Sequence, residues 1–467
     1  MSLEQFYDLN PIGVIDQNKW AVYHPEVALA FRRISLYTPL VDWDADISQF
    51  RTQDITEFEL FEGDVDHNPI PLTANYIDAA YVPDSRSRQF AVDRYGGKVQ
   101  VHKSSSYFQQ WKLSGGNDWK PMMREVLGDH IVRLHEALSR NVWFKGPKNY
   151  WIYSGVATDF ATVTAKFELD KVNLFNFVLG NTGSPVIPGD QASAKVAIIP
   201  PGAAYDLFAT IATASQNEAS MWRDAQIYAG QAIRNEIGTF KGIRFVAAPS
   251  DKFGINPNVL YNCGAITKQF GVIEPINVGD GAPDPVTTLV DGVWKVGQKA
   301  VTHYLKLEDF ATNDYNINDF VTIHTKTSAA YGVTGGVDPF DGRTIVRRIV
   351  AVDATNNTIS FDRPVSIPYT AAFNGKSVTG NVDKTLYAYV TRGKHIGFAL
   401  VLGSRGGVKG KVLEPLKLYE PKPVDDFESV WRFTYDELIG VNMAEPNMFM
   451  LYFFAVSLPK PGGVIAP

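Results

Sequence analysis

The stretch that most limits what this chain can fold into runs from Asn117 to Phe144, between a glycine stop at Gly116 and a Gly146-Pro147 stop. Its apolar residues, Trp119, Met122, Met123, Val126, Leu127, Ile131, Leu134, Leu138 and Val142, repeat at i, i+3, i+4 and i+7, the spacing of one helical face. Asn117 or Asp118 supplies an N-cap oxygen for the first free amides, and Pro121 fits a first turn, whose amides lack internal partners. At ~1.5 Å per residue the helix is roughly 40 Å long. That is the width of a small domain, so it has to cross the molecule as a spine.

The chain has 467 residues, enough for about three domains at ~150 residues each and for a large core. Cys263 is its only cysteine, which rules out an internal disulfide and a cysteine-based zinc site and fits a reducing compartment. The residues after Met1 form neither a basic n-region nor an apolar h-region, and no run approaches the ~18 apolar residues of a membrane span. A formal charge of −6 argues against a surface that grips nucleic acid. Short β-branched apolar runs with generous aromatic, glycine and proline content predict an α+β chain rich in strands.

Residues 1–53 read as an extended arm with one short helix, Glu26 to Ser35. Within it Val41 to Ile47 alternates as a strand. A calcium loop fails there, because Ile47 replaces the glycine and Gln53 stands where a bidentate Glu is needed. Residues 54–112 combine an acidic strand, with Asp54, Glu57, Glu59 and Glu62, and a basic stretch, with Arg86, Arg88, Arg94, Lys98 and Lys103. Gly96-Gly97 predicts a tight hairpin between Arg88–Tyr95 and Lys98–Lys103. Such charge clusters are either solvated faces or complementary contacts between identical subunits.

After the spine, helix signals fall on Ala157 to Phe167 and Lys171 to Leu179. A strand, Lys195 to Ile199, stops at Pro200-Pro201, and helices follow over Ala203 to Ala214 and Asn217 to Asn235. Gly242 to Ala248, Val259 to Phe270 and Thr385 to Leu402 read as strands. Across residues 279–382 helical periodicity vanishes. Hairpin signals at Asp291-Gly292 and from Arg347 to Asp353 back into Ile359 to Phe361 predict an inserted all-β module, a small barrel or sandwich. Strands at Lys411 to Tyr419, Trp431 to Thr434 and Phe449 to Ser457 close the chain.

No constellation for catalysis emerges. Gly403 to Lys411 misses the phosphate-loop spacing, with Arg405 in place of a glycine and Val412 in place of Ser/Thr, and reads as a flexible basic turn. His130 and His135 are five apart rather than four, so they read as solvated or capping side chains rather than a metal pair. Asp280, Asp284, Asp338 and Asp341 sit in turn-forming sequence, and no Gly-x-Ser-x-Gly elbow occurs. The reading contains no catalytic residue, cofactor or metal.

The order of arm, acidic strand with basic hairpin, spine helix, helix-bearing lobe and returning strands resembles the major capsid proteins of tailed double-stranded-DNA phages. Locally the resemblance rests on Ala197-Ile198-Ile199-Pro200-Pro201-Gly202-Ala203-Ala204-Tyr205-Asp206-Leu207 and on Arg234-Asn235-Glu236-Ile237-Gly238-Thr239-Phe240-Lys241-Gly242-Ile243-Arg244-Phe245-Val246. It implies an N-terminal arm at 1–53, an extended loop at 54–112 and a peripheral domain with the spine at 113–194. An axial domain at 195–278 and 383–402 would be interrupted by the inserted β domain at 279–382, with the peripheral domain and tail returning at 403–467.

The resemblance further implies a non-enzymatic structural protein. It would assemble as hexamers and pentamers into an icosahedral shell enclosing phage DNA without sequence-specific binding or membrane contact, formed in the bacterial cytoplasm and retained in the virion. Its implied partners are a separate scaffolding protein, because no charged helical prefix precedes the arm, a portal at one vertex, and a cement or decoration protein. The expected contacts between subunits are Arg88, Arg94, Lys98 and Lys103 against Asp42, Asp44, Glu57 and Glu59 of a neighbour. An encapsulin-like compartment and a β-rich carbohydrate-active enzyme are the alternative readings.

Overall fold

The structure, a computed structural model, describes residues 36–44, 54–61, 84–102, 120–144, 150–181, 195–213, 222–224, 236–251, 254–276, 298–308, 310–311, 314–324, 345–369, 388–403, 407–420, 422–423, 430–444, 446–456, 458–459 and 465–466. Helix and sheet are mixed, with strand predominant, so the chain is α+β. It divides into two compact units, one of Ile12–Gly146 with Gly406–Pro446, the other chiefly of Pro147–Arg405 with Asn447–Pro467. Strands and helices are numbered below in chain order.

The smaller unit holds β1 (Asp42–Asp44), β2 (Asp54–Phe61), β3 (Asp84–Ala91), β4 (Asp93–His102) and helix α1 (Lys120–Val142). From the far end of the chain come β16 (Val408–Leu418), β17 (Lys422–Pro423) and β18 (Val430–Met443). β18 is central, with β4 along one edge and β16 and β17 along the other, while β1 adds to β16 in parallel. β2 and β3 form a separate antiparallel ribbon.

The spine is α1, and its described buried residues run Leu127, Ile131, Val132, His135, Ser139 and Val142. The stripe is rotated from the expected one: Leu134 and Leu138 are only partly buried, while His135 and Ser139 are sealed in. The predicted hairpin at Gly96-Gly97 is corrected, because β4 runs straight through both glycines, paired with β18 from Ile439 to Val430. They make room instead for Tyr435. A Cβ at Gly97 would lie 2.6 Å from the Tyr435 ring, and one at Gly96 would lie 3.0 Å from its carbonyl oxygen.

The larger unit is built on a sheet containing β5 (Trp151–Tyr153), β6 (Lys195–Ile199), β7 (Trp222–Asp224), β8 (Glu236–Phe240), β9 (Ile243–Ala247), β15 (Ala388–Leu402) and β19 (Phe449–Ala455). A small outlying pair, β20 (Leu458–Pro459) and β21 (Ile465–Ala466), follows. Helices α2 (Lys171–Asn181) and α3 (Pro201–Thr213) bury Val172, Phe175, Leu179, Ala203, Ala204 and Leu207 against the sheet. β6 is buried throughout and pairs in parallel with β9. Pro201 then starts α3 at a position where a missing N–H costs nothing.

Two expected helices are corrected. Ala157 to Phe167 forms turns, in which Asp159 accepts from the Thr162 amide at 2.9 Å. Within Asn217 to Asn235, Trp222–Asp224 is a strand paired with β8, because the Trp222 ring packs against Phe208 and Phe245. The remainder of that stretch up to Asn235, like Glu26 to Ser35 and Asp291-Gly292, lies outside the described residues.

β10 (Val259–Ile276), β11 (Gln298–Leu307), β12 (Phe320–His324), β13 (Ile345–Asp353) and β14 (Thr358–Tyr369) continue this sheet. Their order is β10-β11-β14-β13-β12-β15, and β15 pairs back to β10, so six strands close into a barrel. It has its own core, including Phe270, Leu305, Val321, Ile323, Ile349, Phe361 and Val390. The walls include the distal half of β10 and the first residues of β15, so the barrel reaches beyond residues 279–382 on both sides.

Register places Ile276, Gln298, His324, Ile345, Tyr369 and Ala388 at the barrel end away from the rest of the sheet. The three longest connections therefore leave from that end. At the near end β10 is kinked, with positive φ at Asn262 (57°) and Ala265 (38°) and register shifts on both sides of Gly264. A Cβ on Gly393 there would lie 2.6 Å from the Gly264 carbonyl oxygen, so the two strands touch backbone to backbone.

Candidate functional site

Among the expected contact residues, Arg94 and Asp44 meet side-chain partners of the same chain. β2 and β3 pair in a register that places the Glu57 backbone opposite Arg88 and the Glu59 backbone opposite Arg86. Arg94 forks onto Asp436, with Nε donating to Oδ1 at 2.8 Å, and this holds the Asp436 carboxyl below its usual range. Asp44 accepts from Lys411 Nζ at 2.7 Å. Asp42 is exposed opposite Lys409, and the backbone of Lys98 pairs with Thr434. Lys103 lies outside the described residues, as do Asp280, Asp284, Asp338 and Asp341.

The clearest polar construction is on α1, where Glu136 grips the segment before β1. Its carboxylate accepts from the amides of Leu36 (2.6 Å), Tyr37 (2.6 Å) and Thr38 (3.0 Å) and from Thr38 Oγ1 (2.9 Å). These amides open the short 3-10 turn Thr38–Leu40, so the carboxylate acts as a cap supplied from another element. Loss of water pushes the Glu136 carboxyl up, against the downward pull of the same four donors. Arg140, one turn on, is pushed down by burial.

Next to Glu136, His135 Nε2 sits 2.9 and 2.8 Å from the two Glu437 oxygens, and both residues are 0% exposed. His135 is thus neither solvated nor capping, correcting the expectation. Trp43 covers its ring at 5.9 Å and donates from Nε1 to the Thr38 carbonyl at 3.1 Å. The Gly403 to Lys411 stretch is also corrected: from Val408 it is strand β16, with Gly410 under Trp43 and Lys411 on Asp44. Residues 404–406 lie outside the described set. None of these pairs was visible locally, since their members stand 100, 302 and 367 positions apart.

On the barrel, Asp314 accepts from Lys268 Nζ at 2.9 Å and from the Ala311 amide at 2.7 Å, with Arg392 at 3.3 Å. Burial alone would raise its carboxyl, but these donors and cations bring it below the usual value. A depressed carboxyl stabilises the fold above its unfolded pKa of 3.8 and loses that contribution as pH falls through the folded value. Asp314→Asn is therefore expected to lower urea stability modestly at pH 7, because Lys268 and Arg392 are about 40% exposed and screened, and to converge with the parent as pH falls below about 4, which flattens the acid limb by the same amount. An unchanged acid limb would count against this role.

Two further cations are held inside the larger unit. Arg244 pairs with Glu236, and Lys195 donates to Asn176 Oδ1 at 3.1 Å, its amine pushed down by burial. Among the described residues no group of three or more His, Cys, Asp or Glu side chains is placed to hold a metal ion. The arrangement offers docking and charge pairing.

No protein-family model matches the sequence, and neither does any curated protein. Solved structures with a similar course of the chain include the capsid of Ralstonia phage GP4, 8% identical with a TM-score of 0.47 over 91% of this chain and 90% of that one. The head of Helicobacter pylori bacteriophage KHP40 is 9% identical, with a TM-score of 0.45 over 91% and 90%. The acid-stable capsid of Helicobacter pylori bacteriophage KHP30 is 10% identical, with a TM-score of 0.44 over 89% and 87%.

Proposed function

We propose that this chain is the shell subunit of a tailed-phage capsid, a structural protein whose copies form hexamers and pentamers and enclose packaged DNA. The observation that carries the reading is the order and placement of its elements. A docked N-terminal segment leads into a charged ribbon, β2–β3, outside the two larger sheets. A 23-residue spine follows, then a sheet-based lobe, and finally strands that return to complete the first unit. In this reading the arm, extended loop, peripheral and axial domains follow the sequence order given above, and the inserted β domain extends past residues 279–382 to take in the distal half of β10 and the first residues of β15. A scaffolding protein, a portal and a cement protein complete the assembly in the host cytoplasm and the virion.

A shell of this kind is held by many modest contacts acting together, and a chain of net charge −6 does not trap the DNA it encloses. Arg88, Arg94, Lys98 and Lys103 would face Asp42, Asp44, Glu57 and Glu59 of a neighbour, with Arg94 and Asp44 keeping their partners within the chain. Negative-stain microscopy with solution mass, with and without the scaffolding protein, is expected to show shells or rings of five and six. A strictly monomeric protein under every condition would overturn the proposal. In the same micrographs a variant with Arg88, Lys98 and Lys103 changed to Glu, leaving the Arg94–Asp436 pair intact, is expected to remain folded and unassembled; normal shells would discard those contacts.

A further inference from the structure

The segment Leu36–Asp44 is held in the smaller unit much as a peptide is held by a receptor. Its first three amides and the Thr38 hydroxyl all point at one carboxylate, Glu136. Tyr37 and Val41 are 0% exposed, Leu40 6% and Thr38 7%. Downstream, Asp42, Trp43 and Asp44 lie in parallel register with Lys409, Gly410 and Lys411, adding a strand to the edge of an otherwise antiparallel sheet.

Trp43 fills a slot that exists because residue 410 is glycine: a Cβ there would lie 2.4 to 2.8 Å from its ring carbons. The segment ends on Asp44, half exposed, against a Lys411 amine that is 6% exposed. Main-chain capture, strand addition, an aromatic anchor and a charged anchor are the means by which proteins bind extended peptides. Here all four fall within one short segment, and the receiving groups, Glu136, Gly410 and Lys411, belong to α1 and β16.

We propose that Leu36–Asp44 is a self-sufficient docking peptide, and that its groove accepts the same segment from a second copy of this chain as well as from its own. Within one molecule the tether raises the local concentration of the segment. Where copies are packed together, a neighbour's segment competes on comparable terms. Binding is measured on the unassembled chain, so the inference stands or falls independently of the shell reading.

The test uses a chain lacking residues 1–44 and a dye-labelled peptide of residues 36–44. Saturable anisotropy binding is expected, weakened at least about tenfold by Asp44→Ala in the peptide, since a charge-assisted bond to a buried amine is lost. Gly410→Ala in the truncated chain is expected to abolish binding without unfolding it, because the alanine then occupies an empty slot. Full-length chain carrying Gly410→Ala, whose own segment has nowhere to dock, is expected to capture the truncated chain, with free peptide blocking the capture.

No saturable binding, equal binding of a scrambled peptide, or no capture between chains would overturn the proposal. If the truncated chain does not fold, full-length Trp43→Ala serves as receptor, because its own segment is loosened. Failure of the peptide to bind there would overturn the proposal equally.

Discussion

Replacing His135 by Leu is expected to lower the stability of the smaller unit by about 1–3 kcal/mol, the cost of leaving one member of a buried hydrogen-bonded pair without its partner. Both Glu437 oxygens lie within 2.9 Å of His135 Nε2, and neither residue is exposed at all. Leucine fills much of the imidazole volume but donates nothing, so the carboxyl is left inside protein without this donor. The double variant, His135→Leu with Glu437→Leu, is expected to recover most of the loss, because replacing both partners of a buried hydrogen bond by apolar groups is often nearly neutral. Urea unfolding of the three variants against the parent checks this, and a single-variant loss under about 1 kcal/mol would refute the role. His135 also packs at a tilt against Trp43, so the same variant is expected to loosen Leu36–Asp44 and expose it to protease.

Phe453→Ala is expected to cost the larger unit about 3–5 kcal/mol, the range for emptying a well-packed aromatic site. Phe453 is 0% exposed on β19, and its ring centroid lies 4.9 Å from Phe160, 5.3 Å from Trp151, 5.4 Å from Tyr153 and 6.3 Å from Phe398. Its strand joins β5 on one side to β15 on the other, so the loss falls where the last strand is sewn into the sheet. Phe453→Leu keeps most of the volume and is expected to cost less than about 1.5 kcal/mol. Calorimetry separates the two variants; equal losses would show that volume is not what the site requires.

Some of this architecture is written locally. The apolar spacing around Leu127, Ile131 and Val142 marks the spine, and the run from Lys195 through Pro200-Pro201 marks a buried strand with a proline-started helix. Arg347 to Phe361 shows its hairpin because both strands and the turn lie within one window, down to Asn357 with φ 56°. What the sequence conceals depends on partners far away. Gly96-Gly97 carries the composition of a turn, yet the Tyr435 ring needs that space and the strand runs on. Likewise His135 reads as an exposed polar residue on a helix until Glu437 is placed against it.

Barrel closure is hidden for the same reason, since pairing of β10 with β15 joins residues on either side of the whole insertion. The candidate contact residues show the limit most directly. Their charges are legible as clusters, but only register reveals that Glu57 and Arg88 are paired positions of one ribbon within one chain.

The interleaving of the two units has a consequence for synthesis. The buried partner of His135 lies 302 positions later. At the usual elongation rate of roughly 5–20 residues per second, the finished spine waits about 15–60 s for the strand that covers it. During that interval the sheet that follows the spine has time to form and close its barrel, whereas α1 and β4 emerge long before β16 and β18. A nascent chain therefore carries α1 without β18 for most of its translation, and its Leu127–Ile131–Val142 stripe reaches full burial only when the last third of the chain has been made.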